Sequence, residues 1–101
     1  MGAEVDSLDA YDWTPLMFAA KIGATDLIKM FLDFKANIDQ QDQTGNTALL
    51  IASACGQVEA VKILLNRQAS LKANENGLNC LDVAIANQHG DVVMAITNNY
   101  R

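Results

Sequence analysis

Seven residues are the candidates for chemistry in this chain: His89, Cys55, Cys80 and the carboxylates Asp6, Asp9, Asp39 and Asp42. His89 is the only histidine. A metal site or a catalytic dyad needs partners for it. It aligns instead with Gln57 and Ala24 in a recurring turn, which is a structural position. The two cysteines are not spaced to pair. Cys80 aligns with Ala48, and Cys55 lies seven residues further along that helix. That offset is about 10 Å along a helix axis, with a packing distance of about 8–10 Å besides. A disulfide needs Cα atoms within about 7 Å, so two free thiols and a reducing compartment are expected. The four aspartates gather near turns. They do not form an EF-hand loop, which needs a glycine at its sixth position and a closing glutamate. A solvated acidic turn edge is the better reading. The six glycines are scattered, so no phosphate-cradling loop exists. No nucleophile–base pair and no metal cluster is visible, and neither an enzyme nor a cofactor is expected.

With chemistry set aside, the elements carry the argument. The chain has 101 residues, enough for one modest domain. Half of them are hydrophobic and 19% are charged, a globular composition. The net charge of −5 argues against a nucleic-acid partner, which needs clustered Lys and Arg. It also disfavours an anionic membrane surface. No apolar run approaches the roughly 20 residues that span a bilayer, and the acidic start "MGAEVDSLDAYDW" is no signal peptide.

The chain repeats itself. Shifted by 33 residues, "DAYDWTPLMFAAKIGATDLIKMFLDFKANID" from Asp9 falls on "DQTGNTALLIASACGQVEAVKILLNRQASLK" from Asp42. Thr14 meets Thr47, Leu16 meets Leu49, Ala19 meets Ala52 and Gly23 meets Gly56. A further shift of 32 brings Leu49 onto Leu81, Ala52 onto Ala84 and Val61 onto Val93. A period near 33 means stacked repeats. Thr14, Thr47 and Asn79 are N-cap types at equivalent places, and Pro15 suits a first helical turn. Each cap predicts a short helix, with Leu16, Ala19 and Ala20 inward in one copy and Leu49, Ala52 and Ser53 in the next. Gly23 or Gly56 then breaks the chain. A second helix opens with Asp26, Glu59 or Asp91 at the positive end of its dipole. Its apolar residues share one face: Leu27, Ile28, Phe31 and Leu32, then Ala60, Val61, Leu64 and Leu65.

A turn and two helices every 33 residues, with "DWTPLMFAA", "GNTALLIAS" and "LIKMFLDFKANID" carrying the likeness, resembles the ankyrin repeat family. The resemblance covers nearly the whole chain. It implies an all-α solenoid of about three helix-turn-helix repeats joined by β-turn finger loops. Residues 9–41, 42–73 and 74–101 are the three repeats, the last one degenerate, and 2–8 is the tail of a preceding one. The family's usual histidine after T-P-L is Met17, Leu50 and Asp82 here, so its Thr–His network is absent. Lys35 and Gln68 replace its glycine after the second helix, and Asp12 replaces its turn glycine. The third copy departs most, with Ile85 for a small residue, Gln88 for glycine and Thr97 for the last leucine.

"GAEVDSLD" aligns with "KANIDQQD" one period later, so the chain is expected to open on the last piece of an upstream repeat, as a segment cut from a longer array. The N-terminal face would then expose Leu16, Leu27, Ile28 and Phe31, with end-to-end self-association or marginal stability as the result. "GLNCLDVAIANQHGDVVMAITNNYR" further resembles the last repeat in the cytosolic arm of the ankyrin-type transient receptor potential (TRPA) cation channels. That resemblance implies a cytosolic module of a membrane channel, touching a membrane only through its parent.

What remains is surface. In a stacked repeat the residues that do not build the stack line a concave face. By family resemblance this face holds Tyr11, Trp13, Lys21 and Ile22 from the first copy and Gln43, Thr44 and Asn46 from the second. Trp and Tyr are common interface anchors, so Tyr11 and Trp13 lead this protein-binding candidate. Trp13 packing only on its own neighbouring turn is the alternative. An interaction and scaffold module within a channel arm, or an independent soluble adaptor binding a protein partner, are the two functions this surface could serve.

Overall fold

In the computed structural model the structure describes residues 12–99, which form six helices. Thr14 is extended, and its hydroxyl accepts the Met17 N–H at 3.2 Å, which starts α1 (Pro15–Ile22). Thr47 does the same for Leu50 at 3.3 Å and starts α3 (Ala48–Ala54). Asn79 starts α5 (Cys80–Ala86) with a reciprocal pair. Its Oδ1 accepts Asp82 N–H at 2.9 Å, and Asp82 Oδ2 accepts Asn79 N–H at 3.1 Å. So Asp82, at the family's histidine position, closes a capping box. At the same position Met17 turns its sulfur to the Thr14 N–H at 3.4 Å, a weaker acceptor for the same orphan donor.

Each first helix ends the same way. The Ala24, Gln57 and His89 N–H groups donate to the Ala19, Ala52 and Ala84 carbonyls, and the residue before each is left-handed. Gly23 and Gly56 take that conformation freely, whereas Gln88 holds it at φ 61°. The second helices follow: α2 (Thr25–Asp33), α4 (Val58–Asn66) and α6 (Gly90–Asn99). None of α2 and α4 has a side-chain cap, but Asp26 and Glu59 sit in their first turns and Asp91 in that of α6. Lys35 and Gln68 close α2 and α4 with φ near 70°, as the missing glycines require. Asp12 has φ 63°. Each such residue costs about 1 kcal/mol of strain.

The hairpins stack. α1 packs on α3 and α3 on α5, while α2 packs on α4 and α4 on α6. Leu49, Leu50, Val61 and Leu64 of the middle repeat are fully buried between these layers, where a leucine contributes about 1.5–3 kcal/mol. Side-chain ties reinforce the stack. Gln57 reaches across Gly23 to donate to the Lys21 carbonyl at 2.9 Å, and His89 reaches across Gly56 to the Ala54 carbonyl at 3.0 Å. A carbonyl only accepts, so His89 carries its proton on Nε2. The turn position of this histidine was legible; its role as a tie between repeats was not.

The expected open N-terminal face is corrected in part. Leu16 and Ile28 are buried, not exposed. Their counterparts Leu49 and Val61 are buried too, and only Leu81 and Val93 of the last repeat are left half-covered. These positions therefore face the following repeat, which Leu16 and Ile28 have. Leu27 is exposed and Phe31 half-covered, as expected of positions that face the preceding one.

Candidate interaction groove

The groove is built on a finger turn. Asp42 accepts the Gly45 N–H on its carbonyl and donates its own N–H to the Asn46 carbonyl, with Gly45 left-handed at φ 83°. Its carboxylate Oδ1 accepts from the Thr44 N–H, the Thr44 hydroxyl and the Asn46 N–H, all at 2.9 Å. The other oxygen, Oδ2, accepts the Trp13 indole N–H at 2.8 Å. One carboxylate thus holds its own turn and fixes the indole of the preceding repeat. Phe18 stands edge-on to Trp13, with ring centroids 4.8 Å apart at 61°. Lys21 Nζ lies 5.8 Å from the Trp13 centroid, within cation–π range.

Together Trp13, Phe18, Lys21, Asp42, Gln43, Thr44 and Asn46 line an open groove of about 510 Å³. Five of the seven residues read from the sequence as a surface meet there: Trp13, Lys21, Gln43, Thr44 and Asn46. Ile22 is exposed but outside the groove, and Tyr11 lies outside the described residues. Trp13 does not pack only on its own turn, because it bridges to the second repeat. Sequence reasoning missed Phe18 and Asp42 as members. Phe18 carried a signal, since it lies three residues before Lys21 and so shares its helix face.

Of the two thiols, Cys55 lines an adjoining hollow with Trp13, Lys21 and Asn46. Both cysteines are free, Cys55 exposed and Cys80 buried. Burial pushes the Cys80 thiol up from its ordinary value of 9.0, which keeps it protonated and chemically quiet. Among the described residues no three of His, Cys, Asp and Glu gather as metal ligands, and no helix is long and apolar enough to cross a membrane.

The comparisons with known proteins agree with this architecture. Residues 16–100 match the family described as Ankyrin repeats (3 copies). The chain is similar to the protein named "Ankyrin repeat, SAM and basic leucine zipper domain-containing protein 1" from several mammals. It is 47% identical to the Equus caballus protein over 45 residues, which covers 43% of this chain and 10% of that protein. It is 47% identical to that of Microcebus murinus over 45 residues, covering 43% and 9%. For Ornithorhynchus anatinus the figures are 50% over 36 residues, covering 36% and 8%. The chain therefore spans about a tenth of the length of these relatives. With the match running through all three helix pairs, the chain belongs to the ankyrin repeat family.

Proposed function

We propose that this chain is a non-catalytic protein-binding module and that its groove takes a short segment of a protein partner. The reading rests on one observation: Trp13, Phe18 and Lys21 form an apolar wall with one cation, opposite the hydrogen-bonding finger of Asp42, Thr44 and Asn46. An apolar or aromatic side chain suits the wall, and the backbone beside it suits the finger. Trp13 is fixed in advance by Phe18 and Asp42, so little side-chain entropy is lost on binding. Peptides selected from a random display library on the whole chain supply the test. Trp13→Ala should weaken the selected peptides by about 2 kcal/mol or more, the size of an interface hot spot. Unchanged binding by a folded Trp13→Ala protein would overturn the reading.

A finer placement, in the cytosolic ankyrin arm of a TRPA-like cation channel, rests on the segments "CLDVAI" and "DVVMAI" alone. The relatives above are named instead for a SAM domain and a leucine zipper. The reading frame beyond Arg101 tests it, since a channel requires a run of six apolar segments there.

A further inference from the structure

The three repeats allow each position to be read three times, with and without a neighbour. At the position of Phe18 the other repeats have Ile51 and Val83, which are 6% and 8% exposed, whereas Phe18 is 47% exposed. At the position of Leu27 they have Ala60 and Val92, at 1% and 0%, whereas Leu27 is 39% exposed. Ile51 and Ala60 belong to α3 and α4, and the helices packed on their N-terminal side are α1 and α2. The cover is thus a helix pair of the preceding repeat. Phe18 and Leu27 are apolar residues of full size at the same two positions, with no such helix pair over them among the described residues.

The opposite end differs. At the position of Ile85 the other repeats have Ala20 and Ser53, both 0% exposed, and their small size lets the next repeat approach. Ile85 is bulky and 59% exposed. Gly23 and Gly56 leave room for the ties from Gln57 and His89, because a Cβ there would lie 2.8 Å or less from the tying side chain. Gln88 stands at that position in the third repeat and fills the space a further tie would need.

We infer that the stack has a polarity: the N-terminal face carrying Phe18 and Leu27 is a seat for one more ankyrin-type repeat, and the C-terminal face carrying Ile85 and Gln88 is a closed end. The occupant presents a small side chain where Ala20 and Ser53 stand. A second copy of this chain presents Ile85 there, so it does not fit in the same register. The seat shares Phe18 with the groove, so a seated repeat covers the outer part of the groove's wall and leaves Trp13 and the finger of residues 42–46 in place.

The test adds a copy of residues 42–73 to the full chain at either end. That copy already serves as cover for the third repeat, through Leu49, Ser53 and Val61. Inserted between Leu8 and Asp9 it should raise the urea midpoint and slow hydrogen exchange of the α1 and α2 amides by about tenfold or more, as apolar area is covered. Appended after Arg101 it should leave the exchange of α5 and α6 unchanged, and Ile85→Ala with Gln88→Gly should then bring protection there. Equal protection at both ends of the unsubstituted chain would overturn the polarity. A folded insertion protein without added protection of α1 and α2 would overturn the seat. Sedimentation of the chain alone should show a monomer across concentrations; self-association abolished by Leu27→Lys would make the occupant a second copy and would also overturn the proposal.

Discussion

The finger at residues 42–46 and the finger at residues 74–78 are the same turn with different anchors. Asp42 and Asn74 each use a side-chain oxygen to accept two N–H groups of their own turn. They differ in the other side-chain atom. Asp42 Oδ2 accepts the Trp13 indole N–H, while Asn74 Nδ2 donates to Asn46 Oδ1 at 3.1 Å. A carboxylate only accepts, and a carboxamide also donates. The choice between Asp and Asn therefore leaves the turn intact and decides what the turn holds: an aromatic wall in one case, the preceding finger in the other. The scaffold is generic and the reach of one atom gives it individuality.

The finger glycines break this likeness most strongly. Both are left-handed, yet a Cβ on Gly45 would lie 2.9 Å from the Glu75 backbone nitrogen, and a Cβ on Gly77 would meet nothing within 4 Å. The Glu75 N–H donates to the Thr44 carbonyl at 3.0 Å, so the two backbones are already in contact. Gly45→Ala should cost about 2–4 kcal/mol, from backbone strain, overpacking and the lost finger-to-finger bond. Gly77→Ala should cost about 1 kcal/mol, from strain alone. Urea unfolding of the two variants measures the difference; equal costs would mean that the fingers do not touch.

Exchanging the anchors comes next. Asp42→Asn sets an amide N–H against the indole N–H or sacrifices the turn, and should cost about 1–3 kcal/mol and redden the emission of Trp13, the only tryptophan. Asn74→Asp should cost less, about 1 kcal/mol or below, because the Asn46 amide turns to donate instead. Unfolding monitored by fluorescence compares them.

The smallest effect lies under the third repeat. Cys80 stands where the middle repeat has Ala48, so Cys80→Ala should cost on the order of 1 kcal/mol at neutral pH. The folded thiol titrates above its ordinary value of 9.0. Its contribution is therefore complete below pH 9 and is lost as pH rises above it, while the unfolded chain has shed the proton and the folded chain keeps it. The wild-type chain should lose stability through that window, and Cys80→Ala should lose less. Thermal unfolding between pH 8 and 10.5 reads the contrast.

The period of 33 and the caps Thr14, Thr47 and Asn79 were enough to read the helices, because capping and apolar spacing are local properties. The left-handed Lys35 and Gln68 were legible only through the family resemblance, which places glycine there. What lies across a helix face is not local. Leu16 and Leu27 both read as inward residues of the first copy, but one faces the following repeat and the other the preceding one. That distinction needs three stacked copies to see. In the groove, Trp13, Lys21 and the finger residues were named from the family resemblance. Asp42 read as a solvated acid, since its bond to Trp13 joins residues 29 apart. Phe18 was passed over because its counterparts Ile51 and Val83 are core residues in their own repeats.

In the proposed function the wall of Trp13 and the finger of residues 42–46 act as one binding site. Proton–nitrogen correlation spectra of the labelled chain, titrated with a peptide selected on it, test this most directly. The Trp13 indole N–H and the backbone amides of Gln43, Thr44 and Asn46 should shift together with one affinity. Shifts confined to the exposed faces of α2, α4 and α6, with the indole signal unmoved, would contradict it.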